Sequence, residues 1–171
     1  MKQALLFTIA VALCVNCFAQ RKPVNKKDTS SGSQLVMSIE HNGEKKEIKY
    51  SQFQTYDGNS LLNADGKFTL FYGASNAKDS ESFAFQGWIP SAQSGIFQIG
   101  GDEAKAGFNV MTTAFPNISM LIAQSGKIEI TAMPLYGGFV VGTFEGVCET
   151  VTNEGSVEKY AVSGSFKLVR R

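Results

Sequence analysis

The sequence predicts an all-β domain, a single antiparallel sandwich or barrel of about nine to ten strands. Three observations carry this. Apolar residues recur with a period of two, clusters of Gly, Asn, Asp and Ser separate the runs at short intervals, and no stretch holds a helical period. Strands without intervening helices leave no βαβ unit, so the sheet has to be antiparallel.

The chain of 171 residues opens on export grammar. Lys2 gives a basic start, residues 5–15 are almost wholly apolar, and Cys17 and Ala19 stand three and one positions before Gln20. The apolar run is short for a bilayer span and is followed by Arg21, Lys22, Lys26 and Lys27. A signal peptide over 1–19, removed after Ala19, is therefore expected, with no integral membrane segment left in the exported protein. A lipid anchor is the weaker alternative, because Cys14 follows Leu13 and Cys17 follows Asn16 where a small residue is wanted. Residues 20–33 are polar, carry four cations against Asp28 and have no apolar period, which predicts a flexible tether ahead of a domain over 34–171. That domain sums to −3 while the tether is cationic. The whole chain is nearly neutral at +1, which argues against a nucleic-acid partner.

Within the domain, Leu35, Met37 and Ile39 alternate with Val36, Ser38 and Glu40, and Asn42-Gly43 then separates this run from a second, EKKEIKY. Asn-Gly between extended runs predicts a tight hairpin, since both central residues must accept positive φ. Further strands are expected over 67–72, 82–89, 95–99, 108–114, 118–123, 127–133, 139–151 and 157–169, with Ser125-Gly126 as one of the turns between them. The stretches 51–64 and 101–107 have room for a short helical turn. In the last strand Tyr160, Val162, Phe166 and Leu168 share one face and Lys159, Ser163, Ser165 and Lys167 the other. In the strand before it, glycines flank Phe144, which signals a bend, a bulge or a closely approaching ring.

The runs Gly95-Ile96-Phe97-Gln98-Ile99-Gly100, Gly126-Lys127-Ile128-Glu129-Ile130-Thr131, Gly142-Thr143-Phe144-Glu145-Gly146 and Gly164-Ser165-Phe166 occur in this order over 82–171. In this the chain resembles a group of small secreted all-β proteins of Bacteroidetes-type bacteria. The resemblance implies a fold and an exported location. It brings no catalytic residue.

The chemistry available is narrow. The one histidine, His41, falls beside the Asn-Gly turn, where a turn residue is expected rather than the base of a Ser-His-Asp triad. With the signal removed, Cys148 is the last cysteine, without a partner for a disulfide and without a cation beside it in sequence, so a buried, unreactive thiol is expected. Clustered His and Cys metal ligands are excluded by count. Asp57, Asn59, Asn63 and Asp65 bracket YDGNSLLNADGK and offer oxygens to Ca²⁺, but the spacing matches ordinary Asp-Gly turns better. The carboxylate pairs Asp79 and Glu81, Asp102 and Glu103, and Glu145 and Glu149 read as solvated surface, and 100–107 lacks the ending of a phosphate loop.

Among Trp88, Tyr50, Tyr56, Tyr72 and Tyr136, the clearest outward ring is Trp88. It alternates away from Phe83, Phe85 and Ile89 and precedes Pro90. The expectation is a secreted or periplasmic domain without cofactor or enzymatic activity. It would bind an unknown ligand or cell-envelope protein, with Trp88 and Tyr136 as contacts. Two rivals are a lipocalin-like barrel around a small apolar ligand and a carboxylate-dependent hydrolase.

Overall fold

The computed structural model describes residues 32–76, 81–101, 105–113, 120–151 and 155–171. The expected signal and nearly all of the expected tether lie outside them. Ten strands follow in order: β1 Gln34–His41, β2 Glu44–Lys49, β3 Thr55–Leu62, β4 Phe68–Ser75, β5 Ser82–Ile89, β6 Gly95–Ile99, β7 Gly107–Thr112, β8 Leu121–Ala132, β9 Phe139–Val151 and β10 Val157–Arg170. A single 3₁₀ turn, Tyr50–Gln52, joins β2 to β3. The protein is all-β, as the period of two requires.

The strands form one ring-like sheet that is not a closed barrel. Six strands in the order β2-β1-β10-β9-β8-β6 make one layer and β3-β4-β5-β7 the other. Two short strand-to-strand seams join the layers, beside an isolated parallel bridge between Ile99 and Ala106. One is the only parallel pairing among the described strands, Val169 and Arg170 of β10 with Asn59 and Ser60 of β3; the other pairs Asn109 and Val110 of β7 with Ile122 and Leu121 of β8. Both β8 and β10 thus serve two partners along one edge, which is why they run to 12 and 14 residues.

Alternation decides what the layers enclose. Phe85 of β5 packs 4.4 Å from Phe144 of β9 and 6.0 Å from Phe166 of β10, centroid to centroid, and Phe108 of β7 lies 5.1 Å from Phe144. These rings fill the space between layers at distances typical of favourable aromatic pairs. Glycines make room for them. A Cβ on Gly164 would lie 2.5 Å from the Phe144 ring, and one on Gly142 would lie 2.6 Å from the Phe166 ring, so the strand glycines mark close ring approach. The hairpin also forms as expected, with Asn42 at φ 51° and Gly43 at φ 83° between β1 and β2. On the open edge of β2, Lys45, Lys46 and Lys49 discourage pairing with another chain.

Two expectations need correction. The stretch 51–64 has its short helical turn at its start, in Tyr50–Gln52, but it also holds an unexpected full strand, β3, whose Asp, Gly and Asn have poor strand propensity and hide it. Pairing along its whole length with β4 outweighs that. Conversely, Ser125-Gly126 is no turn: in place of the two strands expected over 118–123 and 127–133, the described part is one strand, β8, with register shifts between Ala123 and Ser125 and between Ile130 and Ala132. The former irregularity lies between the stretch of β8 that meets β7 and the stretch that meets β6.

Tyr72 is fully buried beside Phe83 at 5.7 Å, and its hydroxyl has no hydrogen-bond partner among the described residues. Burial pushes its ionisation well above the ordinary phenol range. Since an unpaired buried hydroxyl is destabilising, Tyr72→Phe is expected to leave stability unchanged or raise it by about 1 kcal/mol. A loss of more than that in chemical denaturation would show that the hydroxyl is hydrogen-bonded.

Candidate functional site

The two outer faces differ sharply in charge. Outward residues of the six-stranded layer include Glu40, Lys45, Glu47, Lys49, Lys127, Glu129, Glu145, Glu149, Lys159 and Lys167, paired across strands in rows such as Glu47-Ser38-Ser163-Glu145-Lys127-Gln98. The outward positions of β3, β4, β5 and β7 carry one charge, Asp57, and it faces Arg171 at 3.5 Å. Their rows run Leu61-Thr69-Trp88-Gly107, Asn59-Phe71-Gln86-Asn109-Ile122 and Asp57-Gly73-Ala84-Met111.

This uncharged face is also apolar. Leu61, Phe71, Met111 and Ile122 are 49%, 40%, 42% and 41% exposed, which is high for large side chains on a sheet. Trp88 lies among them, half-buried, because its six-membered ring covers Gly107 of the neighbouring strand. A Cβ at Gly107 would sit 2.3 Å from Trp88 Cζ2, so only glycine there lets the indole lie across the sheet. Between the apolar side chains stand the amides of Asn59, Gln86 and Asn109; Asn109 Oδ1 accepts no hydrogen bond among the described residues.

Trp88 therefore points outward from β5, away from Phe83, Phe85 and Ile89. Tyr136 belongs to a different feature, the loop between β8 and β9, where it is 82% exposed. Phe71, Met111 and Ile122 were not singled out by sequence. The signal was present for Phe71, which alternates with Phe68, Leu70 and Tyr72, but a phenylalanine in a β-domain reads first as core.

The remaining candidates disperse. His41 is not a free hairpin tip: its ring stacks on Tyr160 at 4.1 Å, Nδ1 bonds the Lys159 carbonyl at 2.9 Å and Nε2 lies 3.6 Å from Glu158. The Tyr160 hydroxyl donates to Glu158 at 2.6 Å, and burial together with this bond pushes its ionisation up to about 12. Cys148 is fully buried, and burial pushes its thiol up to about 12, which leaves it a poor nucleophile.

Asp57 and Asn59 stand on β3 rather than in a loop, Asn63 donates to Thr69, and Asp65 accepts the Lys67 backbone N–H, which holds its carboxyl below the usual range. No group of three or more His, Cys, Asp or Glu side chains placed to hold a metal occurs among the described residues. Glu145 and Glu149 each face a lysine, Lys127 at 3.4 Å and Lys159 at 3.5 Å, while Asp79, Asp102 and Glu103 lie outside the described residues. Two open hollows of about 370 and 400 Å³ lie on the charged outer face and share Ser38, Glu145 and Ser163. No family model, curated protein or solved structure matches the chain.

Proposed function

We propose that the chain is an exported, non-catalytic binding domain that holds an uncharged partner surface, a ligand or an envelope protein, against the outer face of β3-β4-β5-β7. The observation that carries this is the contrast between faces: one outer surface is crowded with lysine and glutamate, and the other has a single, ion-paired carboxylate amid Leu61, Phe71, Trp88 and Met111, with Ile122 adjoining at the β7–β8 seam. Apolar contiguity of this kind marks interaction surfaces, and aromatic side chains at their centres carry most of the binding energy. The amides of Asn59, Gln86 and Asn109 add orientation without charge. The lipocalin-like alternative draws less support, since Phe85, Phe108, Phe144 and Phe166 occupy the space between the layers.

Trp88 is the single tryptophan and so reports on its own face. Neutral and charged glycans, lipids and envelope proteins are screened by its fluorescence. The expected result is a partner whose binding shifts the emission and is insensitive to salt. Trp88→Ala should weaken that binding by about 2 kcal/mol or more, roughly 30-fold. Normal binding by this variant removes the site, and substrate turnover that vanishes with a carboxylate removes the non-catalytic reading.

A further inference from the structure

The most exposed large hydrophobic side chains among the described residues are not on that face. Leu135 is 87% and Tyr136 82% exposed, at the tip of the β8–β9 loop. This tip is held, not loose. Gly137 N–H donates to the Arg170 carbonyl at 2.9 Å, Arg170 N–H to the Gly138 carbonyl at 2.8 Å, and the Arg170 guanidinium to the Pro134 carbonyl. Presenting two apolar side chains to water on a braced loop is unfavourable unless something covers them.

Three further observations say what does. Beside the loop, Arg170 lies over the Phe68 ring and Lys167 over the Phe139 ring, while Arg171 is ion-paired with Asp57 and Lys67, next to Phe68 in sequence, with Asp65. Leu62, 49% exposed, adjoins them through its pairing with Phe68. The chain also enters the domain here: Ser33 donates to the Gly58 carbonyl and accepts the Val169 N–H, and Gly32 lies against the Phe139 ring. Immediately upstream the sequence carries Arg21, Lys22, Lys26 and Lys27 against Asp28. Apolar tips and cations without an ion pair among the described residues share the end at which the chain enters, the sequence just upstream is cationic, and the domain is otherwise net negative.

We propose that this end of the domain, with Leu135 and Tyr136 at its tip, seats on the surface of an anionic phospholipid bilayer. The two side chains are too few for a protein interface but suited to the headgroup boundary, where tyrosine's amphipathic ring and leucine's apolar chain both find partners. A cationic segment without apolar periodicity is attracted to a diffuse negative surface rather than to a shaped site. Trp88 stands on the outer face of β5 rather than on this loop, so quenching of Trp88 and of a reporter in the loop can be compared.

The test uses the full chain and vesicles of phosphatidylcholine, with and without phosphatidylglycerol, carrying brominated acyl chains. Wild type reports from Trp88, and the Trp88→Phe/Tyr136→Trp variant reports from the loop. Quenching of the loop reporter is expected in phosphatidylglycerol vesicles, clearly exceeding that of Trp88 in wild type, and high salt or Leu135→Glu should reduce it at least fivefold. An unquenched loop reporter, equal quenching of Trp88, or quenching indifferent to both salt and Leu135→Glu overturns the proposal. Failure of the Trp88 face to find a partner has no bearing on these readings.

Discussion

Phe144→Ala is expected to lower the free energy of unfolding by about 3–5 kcal/mol, the range for losing a phenylalanine from a core. Its ring stands between the layers, in contact with Phe85 at 4.4 Å, Phe108 at 5.1 Å and Phe166 at 6.4 Å. Collapse into the vacated volume is blocked on one side by backbone, because Gly164, the residue beneath the ring, is itself close to the Val36 carbonyl. The cavity should therefore persist, and the loss should fall toward the upper end. Thr143→Ala next to it points outward and should stay within about 0.5 kcal/mol. Denaturant midpoints compare the two, and similar shifts would mean that the inner and outer faces of β9 are exchanged.

How far such faces are legible in sequence depends on the strand. Where inward positions are large and apolar and outward ones are polar, as along β10, alternation alone assigns each residue, and the buried Tyr160, Val162, Phe166 and Leu168 follow it. The same reasoning fails for β3, whose inward residues include Gly58 and Ser60. Gly58 is small because the Tyr72 and Leu168 side chains occupy its Cβ position, and Ser60 is buried with a bond to the Val169 carbonyl at the seam. A strand fitted to its neighbours' bulk carries no hydrophobic signature of its own. The count of ten strands survived because the hidden β3 and the undivided β8 offset each other.

The candidate face was legible at Trp88 and illegible around it for a related reason. Outward Trp88 follows from parity within β5, but its neighbours Phe71, Met111 and Ile122 come from β4, β7 and β8, and only the cross-strand register brings them into one patch. Register is set by pairing, which local sequence does not encode. Gly107, which seats the indole, reads in sequence as a mere loop glycine before β7.

The second large effect is expected at Gly126, the residue taken from sequence for a turn. It lies within β8 at φ +131°, paired with Ile99 of β6 on one side and Gly146 of β9 on the other. A Cβ there would lie 2.0 Å from the Glu145 carbonyl oxygen and 2.5 Å from Gly146 Cα, both backbone atoms that cannot swing aside. Gly126→Ala thus combines a disfavoured backbone conformation with overpacking against a fixed strand, together about 3–5 kcal/mol. Gly43→Ala separates the two contributions: Gly43 has φ +83° and nothing within 4 Å of its Cβ position, so only the conformational part, about 1 kcal/mol, applies. Because the β8–β9 pairing runs through this point, the Gly126 variant should also speed hydrogen exchange at Lys127 and Glu145, whereas the Gly43 variant should leave those amides protected. Equal loss of stability in the two variants would leave positive φ as the whole cost and would sink the argument from close approach.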